Sequence, residues 1–132
     1  MAAASCHEEK EITMKIAITS TGKTLDSPLD PRFGRAQYIL IMEQDGSLVE
    51  AVDNSQGFNA LSGAGIQAGK LLADRKVDVL ITGHCGPNAF RTLQAAGIKV
   101  VVDQSGTVKE ALERFQSGKV AFSGQPNAEA HW

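Results

Sequence analysis

The run Val77-Asp78-Val79-Leu80-Ile81-Thr82, followed at once by Gly83-His84-Cys85-Gly86-Pro87, constrains the fold more than any other stretch of the chain. Near-continuous apolar and β-branched character marks a strand covered on both faces, the parallel-sheet type, rather than one with a wetted side. Pro87 then stands where the first residue of a helix belongs, Phe90 and Leu93 share a face, and Gly97 is placed to stop it, which predicts a helix over 87–96. A further strand, "IKVVVD" at 98–103, follows directly. Two strands joined through a helix lie parallel by a right-handed crossover, so this stretch commits the chain to an α/β architecture.

The flanking segments complete that architecture. "MKIAITS" at 14–20 reads as a buried first strand, and the loop "TGKTLDSPLDPRFGRA" after it is rich in Pro, Gly and Asp. "QYILIME" (37–43) and "SLVEAVD" (47–53) flank Gln44-Asp45-Gly46, a hairpin signal because Asp and Gly tolerate positive φ. In "SGAGIQAGKLLADR" (62–75), Ala64, Ala68, Leu71 and Leu72 recur at helical spacing behind Ser62 as N-cap, and the glycines point to close packing or ligand approach. "TVKEALERFQSG" opens on Thr107 and Glu110 in capping-box spacing, carries Val108, Ala111, Leu112 and Phe115 as a buried stripe, and ends at Gly118. The order β-β-β-α-β-α-β-α predicts a mixed five-stranded sheet: three parallel strands in the centre and on one side, with the antiparallel hairpin at the other edge. Loops 19–36, 83–88 and 103–107 then gather at the carboxyl ends of the parallel strands, where open α/β sheets bind ligands.

At 132 residues and 42% apolar content the chain supports one core of ordinary size. Residues 1–13 read as a flexible leader, 14–120 as the folded domain, and 121–132 as a tail. A net charge of −2 argues against a nucleic-acid partner, so any anionic ligand must be held locally. The absence of an apolar window of about 18 residues, and of the apolar core of a secretory signal, argues against a membrane partner and for a cytoplasmic protein. A monomer is the expectation. Cys6 and Cys85 have no CxxC spacing, which argues against a disulfide framework and against a cysteine-based zinc or iron-sulfur site; Cys6 and His7 share a terminal segment that the disorder of chain ends makes a poor metal site.

Two stretches carry the candidate chemistry. In Gly83-His84-Cys85-Gly86 the glycines allow a tight turn at the positive end of a helix dipole, which suits an anion. His84 and Cys85 could add soft metal ligation; equally, Cys85 could be a small buried hydrophobe and His84 a solvent-facing loop residue. In "DPRFGRA", Arg32 and Arg35 bracket Phe33-Gly34, and forked donors with an apolar plate suit a polarizable multivalent anion. The alternative is a rigid turn in which Asp30 pairs with an arginine and Phe33 plugs the core. "NSQGFNALSGAG" resembles a phosphate cradle but lacks the GxxxxGK[ST] order, and Asp53 and Asn54 read as caps. Enzyme signals are poor: adjacent side chains such as His84 and Cys85 diverge, His7 and His131 lie in the tails, and "KIAITS" offers no carboxylate for a magnesium nuclease.

Taken together, Met14-Lys15-Ile16-Ala17-Ile18, "RFGRA", Asn54, "GAGIQAGKLLADRKVDVLITGHCGPNAFRTLQAAGIKVV" and "TVKEALERFQSG" resemble, in order, the dinitrogenase iron-molybdenum cofactor-binding family. That family includes nitrogenase accessory proteins and the C-terminal domain of the cofactor-maturation protein. The resemblance implies a ribonuclease H-like fold and a non-catalytic carrier of a preassembled metal-sulfur cluster. The cargo it implies is a molybdenum-copper sulfide cluster held without covalent attachment, or alternatively an iron-molybdenum-sulfur cluster in cofactor assembly or storage. It further implies that Arg32, Phe33, Gly34 and Arg35, with Gly83, His84, Cys85 and Gly86, line the site, that Ser20, Thr21 and Gly22 close it, and that Cys85 and His84 are the candidate metal contacts. A preassembled cluster brings its own sulfide ligands, so the missing cysteine set agrees with this reading. Two further functions stay open: an enzyme or sensor acting on a small phosphorylated ligand, and an adaptor pairing through the hairpin edge.

Overall fold

The computed structural model describes residues 14–54 and 64–122. Expectations for the leader with Cys6 and His7, the Ser62 cap, most of "NSQGFNALSGAG", and the tail with His131 lie outside the described residues. Within them the elements are β1 (Lys15–Ser20), β2 (Tyr38–Glu43), β3 (Leu48–Asp53), α1 (Ala64–Asp74), β4 (Val79–Ile81), α2 (Pro87–Ala95), β5 (Lys99–Val101) and α3 (Val108–Gln116). They form one five-stranded sheet in the order β3-β2-β1-β4-β5. β1 runs parallel to β4, β4 parallel to β5, and β2 antiparallel to both β1 and β3, as the crossover argument predicts.

Side-chain alternation divides the sheet into two buried faces. Ala17, Ile39, Ile41, Val52, Leu80 and Val100 point to one face, where Ala68 and Leu72 of α1 and Phe90 and Leu93 of α2 cover them. Ile16, Ile18, Leu40, Met42, Val79, Ile81 and Val101 point to the other, beneath Val108, Ala111 and Leu112 of α3. Both faces of β4 are therefore dry, which is why its sequence reads as an unbroken apolar run. On the first face the helices pack closely: a Cβ at Gly65 would stand 2.7 Å from the Ala89 Cβ, and one at Gly69 would stand 2.8 Å from Thr92 Cγ2. The glycines of α1 are thus explained by helix packing and bring the starts of α1 and α2 side by side.

Local stops fall where the sequence places them. Gly46 adopts φ +96° and donates its N–H to Glu43 O at 2.8 Å, closing the hairpin. Gly97 (φ +78°) and Gly118 (φ +73°) follow the ends of α2 and α3. Thr107 and Glu110 form the reciprocal capping box, with bonds of 3.1 and 2.9 Å. β4 and β5 are each three residues long, shorter than their apolar runs; at the start of β4 Asp78 also accepts the Lys15 N–H on Oδ2 at 2.9 Å.

Candidate functional site

A strap formed by residues 25–33 crosses the carboxyl ends of the parallel strands and is tied down along its length. At one end Val108 N–H donates to Ser27 O (3.0 Å) and Lys109 N–H to Leu25 O (2.8 Å), so the strap occupies donors at the start of α3. In the middle Leu29 N–H reaches Gly106 O at 2.8 Å and Asp30 N–H reaches Thr19 O at 3.0 Å. At the other end His84 N–H donates to Pro31 O (2.6 Å) and Phe33 N–H to His84 O (3.2 Å), making Arg32 and His84 partners in a one-residue parallel bridge. Gly83 permits this approach: a Cβ there would lie 2.7 Å from Pro31 Cα and 2.9 Å from Pro31 O.

Two buried hydroxyls clasp the strap to the sheet. Thr19 Oγ1 donates to Asp30 O at 2.6 Å and therefore accepts from Thr82 Oγ1 at 2.9 Å, since its single proton is already used. The two threonines follow Ile18 and Ile81, which are register partners on β1 and β4. Asn54, also buried, holds the far side of the arginine loop through Nδ2 bonds to Gly34 O (3.1 Å) and Ala36 O (2.9 Å), while Gly34 turns the chain at φ +94°. Behind the junction, Asp103 N–H donates to Gly83 O at 2.9 Å with Asp103 at φ 63°, a conformation that Asp tolerates better than most residues.

The predicted site residues separate into those that present groups to solvent and those that hold the frame. The Arg32 side chain is 44% exposed, His84 is exposed, and Arg35 is half-buried. As bridge partners, Arg32 and His84 project from the same side of their paired segments. Just beyond them, Gly86 is the N-cap of α2 and, having no side chain, makes no cap bond of its own, while Pro87 at the helix start has no N–H; the positive end of the α2 dipole therefore lies next to the junction. Phe33, expected as an apolar plate for a ligand, is instead fully buried within the core, the plug that the alternative reading described. Cys85 is likewise fully buried in that cluster, and burial pushes its thiol from 9.0 up to about 12. As placed, its sulfur faces the core and its weak S–H donor points to Gly86 O at 3.8 Å, so it presents no thiolate to the surface.

Ser20, Thr21 and Gly22 sit toward the α3 end of the strap. The buried Ser20 hydroxyl donates to Gly22 O (2.8 Å) and accepts from Gly22 N–H (3.1 Å), and Thr21 N–H binds Pro28 O (3.0 Å), so these polar groups close their own loop. Lys23 in the same loop adds a cation, its Nζ 5.6 Å from the centre of the Tyr38 ring. Among the described residues no group of three or more His, Cys, Asp or Glu could hold a bare metal ion. The loops at this junction instead carry the guanidinium groups of Arg32 and Arg35 and the imidazole of His84, side chains whose chemistry suits an anion.

The chain belongs to the dinitrogenase iron-molybdenum cofactor family, whose sequence model it matches over residues 14–118. It is similar to the orange protein of Desulfovibrio gigas, solved in its apo form, at 44% identity and TM-score 0.83, over 87% of this chain and 97% of that one. A Thermotoga protein given the name NifB is similar at 35% identity and TM-score 0.75, again over 87% of this chain and 97% of that one. An uncharacterized protein of Methanocaldococcus jannaschii is 25% identical over 111 residues, 81% of this chain and 93% of its own length. No helix among the described residues is long and apolar enough to cross a membrane.

Sequence reasoning did not single out the residues that hold the frame together. Thr19 and Thr82 had a readable signal, since Ile-Thr ends two apolar runs destined to be neighbouring parallel strands. Asp103 had none, because its role depends on a backbone contact to Gly83 that only the folded chain creates.

Proposed function

We propose that this protein is a non-catalytic, cytoplasmic carrier of a preassembled molybdenum-containing metal-sulfur cluster, of the molybdenum-copper sulfide type and held without covalent attachment. The observation that carries the reading is the junction of strap and turn, where Arg32 and His84 are bridge partners beside the start of α2. A sulfide-ligated anion needs charge, forked hydrogen-bond donors and exposed amides, and it does not need a cage of thiolates. Family membership and the 44% identity to the orange protein support the same cargo class. Arg32, Arg35 and His84 supply side-chain contacts, Gly83 and Gly86 supply close backbone approach, and Phe33, Gly34 and Cys85 shape the walls from within. The Ser20-Thr21-Gly22 loop closes the α3 side. The family's name favours an iron-molybdenum-sulfur cluster as the second cargo reading. The strand order, with β2 alone reversed, supports the ribonuclease H-like class for a domain spanning 14–120.

The test is anaerobic titration of the metal-free protein with tetrathiomolybdate and copper(I), followed by gel filtration and a visible spectrum. Wild type is expected to retain colour, molybdenum and copper in the protein fraction. Arg32→Ala combined with Arg35→Ala is expected to retain roughly tenfold less at low salt and to show a shallower salt dependence, because long-range attraction has been removed. Unchanged retention at low salt would make the arginines structural, and retention of an iron-molybdenum-sulfur cluster in preference would move the cargo to the second reading.

A further inference from the structure

We propose that Asp30 is a positioning residue for the anion site, acting through Arg32; this inference rests on the reading of the site as an anion carrier. The Asp30 side chain is 3% exposed although it stands at the mouth of a site read as attracting negative charge. On Coulombic grounds alone a buried anion there opposes the cargo, so its presence calls for a compensating role. Its Oδ1 accepts the Arg32 backbone N–H at 3.0 Å and Arg32 Nε at 3.4 Å, which fixes both the main chain and the root of the guanidinium. The same residue is pinned from the sheet side, its N–H bonding Thr19 O (3.0 Å) and its C=O accepting from the Thr19 hydroxyl (2.6 Å). The next residue, Pro31, accepts the His84 N–H at 2.6 Å. A continuous hydrogen-bonded path therefore runs from Thr82 through Thr19 and Asp30 to the Arg32 side chain, which stays 44% exposed and in register with His84. Holding a long, flexible side chain by one edge lowers the entropy it loses on binding, which is how an inward carboxylate can strengthen the grip on an outward anion.

The inference and the simple Coulombic view predict opposite signs. Asp30→Asn keeps an oxygen able to accept the Arg32 N–H but removes the charge. If Asp30 positions Arg32, binding of tetrathiomolybdate with copper(I) weakens by roughly three- to tenfold in the native background and hardly changes in the Arg32→Ala background. Tighter or unchanged binding by Asp30→Asn overturns the inference, and so does an equal loss in both backgrounds, which is what a purely structural role gives. Arg32→Lys provides a second arm that leaves Asp30 in place: it keeps the charge and loses the edge held by the carboxylate, so it too is expected to weaken binding, and wild-type affinity would overturn the inference if Asp30→Asn does not fold. Wild type that takes up no cluster anion at all fails the carrier reading, and the positioning role falls with it. Wild type that binds while Asp30→Asn binds as well fails the positioning role alone.

Discussion

Burial moves the Cys85 thiol from 9.0 up to about 12, and the direction of that shift fixes how stability depends on pH. In the unfolded chain the thiol ionises near its ordinary value, whereas in the folded chain it holds its proton. Its contribution is complete below about 9 and is lost as the pH climbs through about 12. Unfolding free energy is therefore expected to fall more steeply over that window in wild type than in Cys85→Ala, as measured by urea denaturation at stepped pH; parallel curves would contradict the assignment. The same burial predicts slow alkylation by iodoacetamide at about pH 8 and a large acceleration in denaturant. Asn54 is the complementary case, a buried amide whose two bonds hold Gly34 O and Ala36 O. Asn54→Ala is expected to cost about 1–3 kcal/mol in urea unfolding, because both carbonyls lose their partner away from water. A cost below about 0.5 kcal/mol would mean that the arginine loop does not depend on it.

At the scale of elements, the site is the place where two loops are zipped together, and Gly83 sets how closely they lie. Gly83→Ala forces a Cβ to within 2.8 Å of Pro31 Cβ, so either the strap lifts or the turn shifts. The expected result is a loss of about 1–3 kcal/mol in stability, with weaker cluster retention, both readable from one preparation by denaturation and titration; native stability would show that the strap is slack. What could be read from the sequence follows the range of the forces involved. The stops at Gly46 and Gly97 and the Thr107–Glu110 box depend on neighbours within a few residues, so local chemistry announces them. Lys76 at φ 58° just beyond α1 is less legible, since a lysine carries no left-handed signal of its own. The inward fate of Phe33 and Cys85 is only one of two readings the sequence allows, because a glycine-flanked loop reads as surface until the packing of α2 on the sheet shows which side chains turn back into the core. Asp30 was legible as an arginine partner, but its hold on both backbone and side chain of Arg32 needed the Thr19 clasp to be seen.

Over the whole molecule, a net charge of −2 gives no general attraction for an anionic cargo, so on the proposed reading affinity comes from the carboxyl end of the sheet, where Lys23, Arg32, Arg35 and His84 lie on the loops. The same sheet order that puts β1 beside β4 brings the arginine loop to the turn before α2, and the close contact of α1 with α2 sets two helix starts near it. The crossover strands provide the edge, the strap crosses it, and the start of α2 lies beside it. The most direct measurement of the central claim is the metal and sulfide content of the protein purified without oxygen from its native host, taken together with its visible spectrum. The account predicts a coloured protein holding molybdenum with sulfide, and with copper if the cargo is of the proposed type. A colourless, metal-free protein that also fails to take up tetrathiomolybdate with copper would contradict it.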